Sequence, residues 1–151
     1  MHLKLAAMGM LLALSTSGAA EPRLQGRSMV ISLGGIAATE HPLASQAAAQ
    51  ILAQGGNAAD AAVAANAVMG LVSPSMCGIG GDMFCLVYDA KTRKTYGLNA
   101  SGWSPQALTP EFLQAQGFTN MPISGIHSVT VPGAVDGWEK LLKRFGKLRM
   151  S

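Results

Sequence analysis

His41-Pro42-Leu43-Ala44-Ser45-Gln46, then Gly55-Gly56-Asn57-Ala58-Ala59-Asp60-Ala61-Ala62-Val63-Ala64, then Gly78-Ile79-Gly80-Gly81: this ordered stretch decides how the chain folds. Pro42 suits the first turn of a helix, because its missing N–H would have no partner there. Leu43, Ala47, Ile51 and Leu52 recur at helical spacing and predict one apolar face. Gly55-Gly56 ends that helix, since glycine takes the left-handed conformation without steric penalty. Asn57 then caps a second helix, and Asp60 lies favourably near its positive end. Ala58 to Leu71 are almost all small or apolar, and a helix apolar all round is a buried one. Alanine on both helices lets their backbones approach. The expectation is a tight helical hairpin packed on a sheet.

Upstream, Met29 to Ser32 and Ile36 to Thr39 read as short apolar strands broken by Gly34-Gly35. Downstream, Ser73-Pro74 ends the second helix. Met83 to Tyr88 and Thr95 to Asn99 then flank the polar turn from Asp89 to Lys94 and predict a β-hairpin. Thr109-Pro110-Glu111 opens a further helix, with Thr109 as cap, that ends near Gly117. Residues 118–128 show no period. Val129 to Val131 read as a short extended piece, and Pro132 starts a last helix running through Trp138, Leu141, Leu142 and Phe145. The fold class is therefore mixed, α/β (α+β).

At 151 residues the chain fits one domain. With 49% hydrophobic and 13% charged residues it lacks the composition of a disordered chain. Aromatics are 5%, so small side chains must fill the core, and each buries little area at roughly 25 cal/mol per Å². An isolated chain of this kind is expected to be marginally stable. The net charge is +3, and Lys140, Lys143, Arg144, Lys147 and Arg149 read as the solvated face of a helix. No wide basic patch or binding module points to nucleic acid as a partner.

Met1 to Lys4, the apolar run Leu5 to Leu14 and the small residues Ser15 to Ala20 match a secretory leader, so residues 1–20 are expected to be a signal peptide. A misassigned start or a loose terminus is the alternative. The run is too short for a stable membrane span, which needs about 20 residues. Residues 21–28 read as a linker and 29–151 as the domain, exported to the periplasm or secreted. Cys77 and Cys85 could then pair, or remain buried thiols. His2, His41 and His127 are scattered, so no metal site is expected.

Several motifs invite chemistry. Gly78-Ile79-Gly80-Gly81 has the wrong context for a phosphate loop: a helix precedes and a strand follows, and no Walker lysine is present. Asn57 with Asp60 is explained by capping. Glu40-His41 beside a helix start reads as structural. No Gly-x-Ser-x-Gly elbow occurs. The residues by themselves show no complete catalytic constellation.

Five segments in order carry a resemblance: Glu40 to Ser45, Gln54 to Ala61, Gly78 to Asp82, Leu86 to Lys91, and Val129-Thr130-Val131-Pro132-Gly133-Ala134-Val135-Asp136-Gly137-Trp138. Together they resemble the N-terminal part of the large subunit of the γ-glutamyltransferase family. The resemblance covers about Val30 to Leu148. It implies a fragment of a four-layer αββα N-terminal-nucleophile hydrolase fold, made as a precursor that cuts itself. It implies transfer or hydrolysis of γ-glutamyl groups from glutathione-type amides, with no organic cofactor. The nucleophile, a threonine, belongs to the small subunit, so the partner is a missing C-terminal part of the same precursor and no catalytic residue is assigned in this chain. A truncated chain, inactive alone, is the expectation; a non-catalytic remnant or small binding protein is the rival. In the family an arginine for the substrate's α-carboxylate follows the hairpin. Alignment on Pro105 puts Ser101 at that place, and Ser101, Gly102 and Trp103 become the candidate substrate-binding residues. Serine offers no charged fork, so another acyl substrate is the alternative. Trp103 either lines the pocket or serves ordinary packing.

Overall fold

The computed structural model describes residues 28–149. A compact unit begins at Ser32; of the unit before it, only residues 28–31 are described, and they are exposed and irregular. The expected leader, residues 1–20, and nearly all of the linker lie outside the described residues. Neither expected strand between Met29 and Thr39 forms. A strand needs an edge to pair with, and among the described residues none pairs there. Thr39 instead turns the chain, its hydroxyl donating to the carbonyl of His41 at 2.7 Å and meeting the Ser45 hydroxyl.

Helix α1, Pro42–Ala53, has His41 as its N-cap: ring nitrogen Nδ1 accepts the N–H of Leu43 at 3.2 Å. Its buried face is one position away from the expected one. Ala44 and Ala48 are buried, with Ile51 and Leu52 beside them, while Leu43 is half exposed. Close approach decided this: the smallest side chains, not the largest, meet Ala61, Ala65 and Met69 of the neighbouring helix. α1 ends as a Schellman turn. Gly55, at φ 89°, donates to Leu52 O and Gly56 to Ile51 O.

Helix α2, Ala58–Val72, begins with a capping box. Asn57 Oδ1 accepts the amides of Ala59 and Asp60, and Asp60 Oδ2 accepts the amide of Asn57. Expected to be buried all round, α2 is covered on two sides only. Ala61, Ala65 and Met69 face α1, and Ala59 and Val63 face a second cluster. Leu71 is exposed because nothing among the described residues lies over it.

Strands β1, Met83–Asp89, and β2, Lys94–Ala100, form the expected hairpin, with Met83 opposite Ala100 and Asp89 opposite Lys94. Asp89 accepts from Lys91 N–H and Thr92 O–H, and Arg93 takes φ 54° to close the turn. Met83, Cys85, Val87 and Leu98 point inward against Ala59, Val63, Trp138 and Leu141. Phe84, Leu86 and Tyr88 point outward and are exposed.

Helix α3, Pro110–Ala115, is capped by Thr109 as expected. A single 3-10 turn follows at Ile126–Ser128. Val129 to Val131 form no strand. Helix α4, Ala134–Phe145, starts two residues later than Pro132. The amides of Gly133 and Ala134 both donate to Gly81 O at 3.1 Å, which fixes the start. Trp138 Nε1 donates to Asn66 Oδ1 at 2.9 Å, tying α4 to α2. Cys77 packs with the first cluster and Cys85 with the second, as separate thiols; burial raises the pKa of Cys85. No helix among the described residues is long and apolar enough to cross a membrane.

Candidate functional site

Three chain segments meet at the end of the hairpin where Met83 pairs with Ala100. They are the Gly81-Asp82 corner entering β1, Ser101-Gly102-Trp103 leaving β2, and Thr130 to Ala134 entering α4. Asp82 joins them. Its Oδ1 accepts the Gly102 amide at 3.2 Å and the Thr130 hydroxyl at 2.9 Å. The Thr130 hydroxyl, then the Gly102 amide, lower the Asp82 pKa; slight desolvation opposes them, and the Ser101 side chain adds a further donor.

The backbone here is packed tightly. Val131 N–H donates to Trp103 O at 3.0 Å. A Cβ on Gly102 would lie 1.4 Å from Val131 O, and one on Gly133 would lie 2.2 Å from Ala100 O. Only glycine lets these strands of backbone touch. Ser101 N–H is taken by Asn99 Oδ1 at 2.9 Å. The result is a stiff wall with Ser101 and Gly102 half-buried and Trp103 projecting, 88% exposed.

The structure thus brings Ser101, Gly102 and Trp103 together as one surface. It also shows what sequence reasoning missed: Asp82 and Thr130, which hold that surface in place from 20 and 28 positions away from Gly102. Both stand inside quoted motif segments, and an acidic residue beside a glycine run was the available signal.

The other candidates are placed elsewhere. His41 and Asp60 serve helix starts, His41 as the N-cap of α1 and Asp60 in the capping box of α2. Gly78 to Gly81 form a turn, with Gly81 N–H on Gly78 O at 3.2 Å. No group of three or more His, Cys, Asp or Glu among the described residues could hold a metal. A cavity of about 670 Å³ lies between residues 34–39 and the α1–α2 hairpin, lined by Ile36, Leu52, Ala61, Ala65 and Met69. Its lining is alanine-rich but also holds Thr39, Asn57 and Asn66, and it includes no residue of the wall.

Comparison with known proteins agrees with the motif order. The family model described as Gamma-glutamyltranspeptidase matches residues 44–151. A glutathione hydrolase-like YwrD proenzyme from Bacillus subtilis (strain 168) is 42% identical over 123 residues, covering 81% of this chain and 23% of the relative. The crystal structure of cephalosporin acylase from Bacillus halodurans aligns with TM-score 0.77 at 40% identity, covering 88% of this chain and 25% of that one. The Helicobacter pylori gamma-glutamyltranspeptidase aligns with TM-score 0.72 at 33% identity, covering 81% and 36%. The chain therefore spans about a quarter of the length of the curated relative, and its mixed helices and strands are part of the N-terminal-nucleophile hydrolase fold. By motif order, by family match over 44–151 and by backbone superposition, the chain belongs to the gamma-glutamyltranspeptidase family.

Proposed function

We propose that this chain supplies scaffold and one pocket wall to an enzyme that splits or transfers acyl groups from amides, γ-glutamyl amides of the glutathione type being the first to test. The observation that carries the reading is the wall of Ser101, Gly102 and Trp103, braced by Asp82 and Thr130 from two of the five family segments. Residues 29–151 form this portion, and residues 1–20 direct export to the periplasm or medium.

The nucleophile comes from the small-subunit part of the precursor, as the family resemblance implies. There a threonine hydroxyl attacks the amide carbonyl, with its own α-amine taking the proton. The C–N bond breaks, and the amine leaves with that proton. The acyl ester then passes to water or to an acceptor amine. No residue of this chain takes part in bond making; it bounds the space in which the acyl group sits.

The test is assembly. Purified alone, the chain should not turn over a γ-glutamyl anilide. Co-expressed with a downstream segment bearing the threonine, it should cleave at least one anilide of a series running from γ-glutamyl to phenylacetyl. Turnover by the chain alone, with contaminants excluded, would overturn the proposal. So would an assembled enzyme that folds and matures yet cleaves no amide.

A further inference from the structure

The wall formed by Ser101, Gly102 and Trp103 has an unusual balance of donors and charge. Five of its backbone N–H groups are already engaged. Ser101 N–H goes to Asn99, Gly102 N–H to Asp82, Val131 N–H to Trp103 O, and the amides of Gly133 and Ala134 to Gly81 O. The Thr130 hydroxyl is held by Asp82. The charged group at the wall is the exposed Asp82 carboxylate.

Among the described residues, no lysine or arginine stands at this end of the hairpin. Among the described residues, every lysine and arginine lies in 91–94 or 140–149. The first group sits at the turn, six residues along the strands from the Met83–Ala100 pair, or roughly 20 Å at 3.3 Å per residue. In the second, Lys140 is paired with Asp136, and Arg144 stacks over the Tyr96 ring at 4.3 Å. Trp103, by contrast, offers a free aromatic face.

A carboxylate brought to this wall would meet the Asp82 carboxylate and no lysine or arginine among the described residues. An apolar body would meet an indole. We propose that the acyl group received against Ser101-Gly102-Trp103 presents no carboxylate there: the preferred donors are amides of neutral, apolar or aromatic acids. This rests on the wall being a substrate surface, as proposed above, and it narrows the acyl class.

The experiment is binding by the full 151-residue chain, followed by ¹⁵N NMR. The two indole N–H signals, assigned with Trp103→Phe, separate the wall from the core, since Trp138 is buried and bonded to Asn66. The probes are phenylacetamide and a γ-glutamyl amide at equal concentration. Phenylacetamide should shift Trp103 and Gly102 signals at least tenfold more strongly than the γ-glutamyl amide. Asp82→Asn should weaken that discrimination, and Ser101→Arg should reverse it by giving the γ-glutamyl carboxylate a cation. An unshifted Trp138 signal certifies that each variant is folded. Equal or stronger response to the γ-glutamyl amide in the unmodified chain would overturn the inference, as would no response to either probe. Neither outcome touches the assembly test of amide cleavage, which reads turnover.

Discussion

The carboxylate of Asp60 accepts the backbone N–H of Lys147 at 3.0 Å, joining the first turn of α2 to the chain leaving α4, 87 positions away. The same carboxylate accepts from Asn57 and Leu148, and the Asn57 side-chain amide donates to Phe145 O. One capping box therefore closes a helix and fastens another.

Replacing Asp60 with alanine leaves three amides without their acceptor at a residue that is 5% exposed. Each buried unsatisfied donor costs about 1–3 kcal/mol, with part recovered by water. The expected loss for Asp60→Ala is about 3 kcal/mol in urea unfolding. Asp60→Asn keeps an acceptor oxygen and should lose about half of that. An alanine variant as stable as the parent would remove Asp60 from the core account.

The same residue predicts an acid limb. Burial alone would raise its pKa, but the amides of Asn57, Lys147 and Leu148, with the Lys147 charge, outweigh burial and lower it. A carboxyl whose folded pKa is depressed contributes stability above its unfolded pKa, near 3.9. That contribution is lost as pH falls through the folded value. Unfolding free energy should therefore decline below about pH 4, and Asp60→Asn should flatten the decline. Identical acid profiles for the two proteins would contradict this.

Gly102 and Gly80 make a matched pair. A methyl at Gly102 would sit 1.4 Å from a backbone oxygen, whereas one at Gly80 meets nothing within 4 Å. Overpacking against backbone cannot be relieved by a rotamer change, so Gly102→Ala should cost about 3 kcal/mol. Gly80→Ala should stay within about 0.5 kcal/mol. Hydrogen exchange gives a second reading: the Val131 amide, bonded to Trp103 O, should lose protection in the first variant and keep it in the second.

Much of this was legible in the chain. Pro42, Gly55-Gly56, Asn57 and Thr109 set helix ends by local geometry, and local geometry is written in neighbouring residues. The hairpin followed from its polar turn. What failed depended on distant partners. Met29 to Thr39 have strand composition but no edge to pair with among the described residues. The α1 face was misread by one position because size was taken as the mark of burial, while helix approach selected Ala44 and Ala48. Ser101 to Trp103 were reached through the family resemblance. Their brace, Asp82 and Thr130, escaped because hydrogen bonds across 20 and 48 positions leave no periodic trace.

The outward face of the hairpin gives the last prediction. Phe84, Leu86 and Tyr88 alternate with the inward Met83, Cys85 and Val87, and they are 70%, 80% and 64% exposed. Across from Leu86 stands Gly97, which offers no side chain to cover it. A contiguous exposed apolar face of this kind drives association. Phe84→Thr with Leu86→Thr places β-branched threonine at both positions, so the strand preference of the backbone is retained. Sedimentation velocity over a concentration series should show less self-association in the double variant, at nearly unchanged stability. Val87→Thr, on the opposite face, should do the reverse: stability falls by about 1–2 kcal/mol as a hydroxyl enters the cluster around Trp138, while association persists. If both variants lost stability equally, the two faces of the hairpin would not differ in burial as the alternation requires.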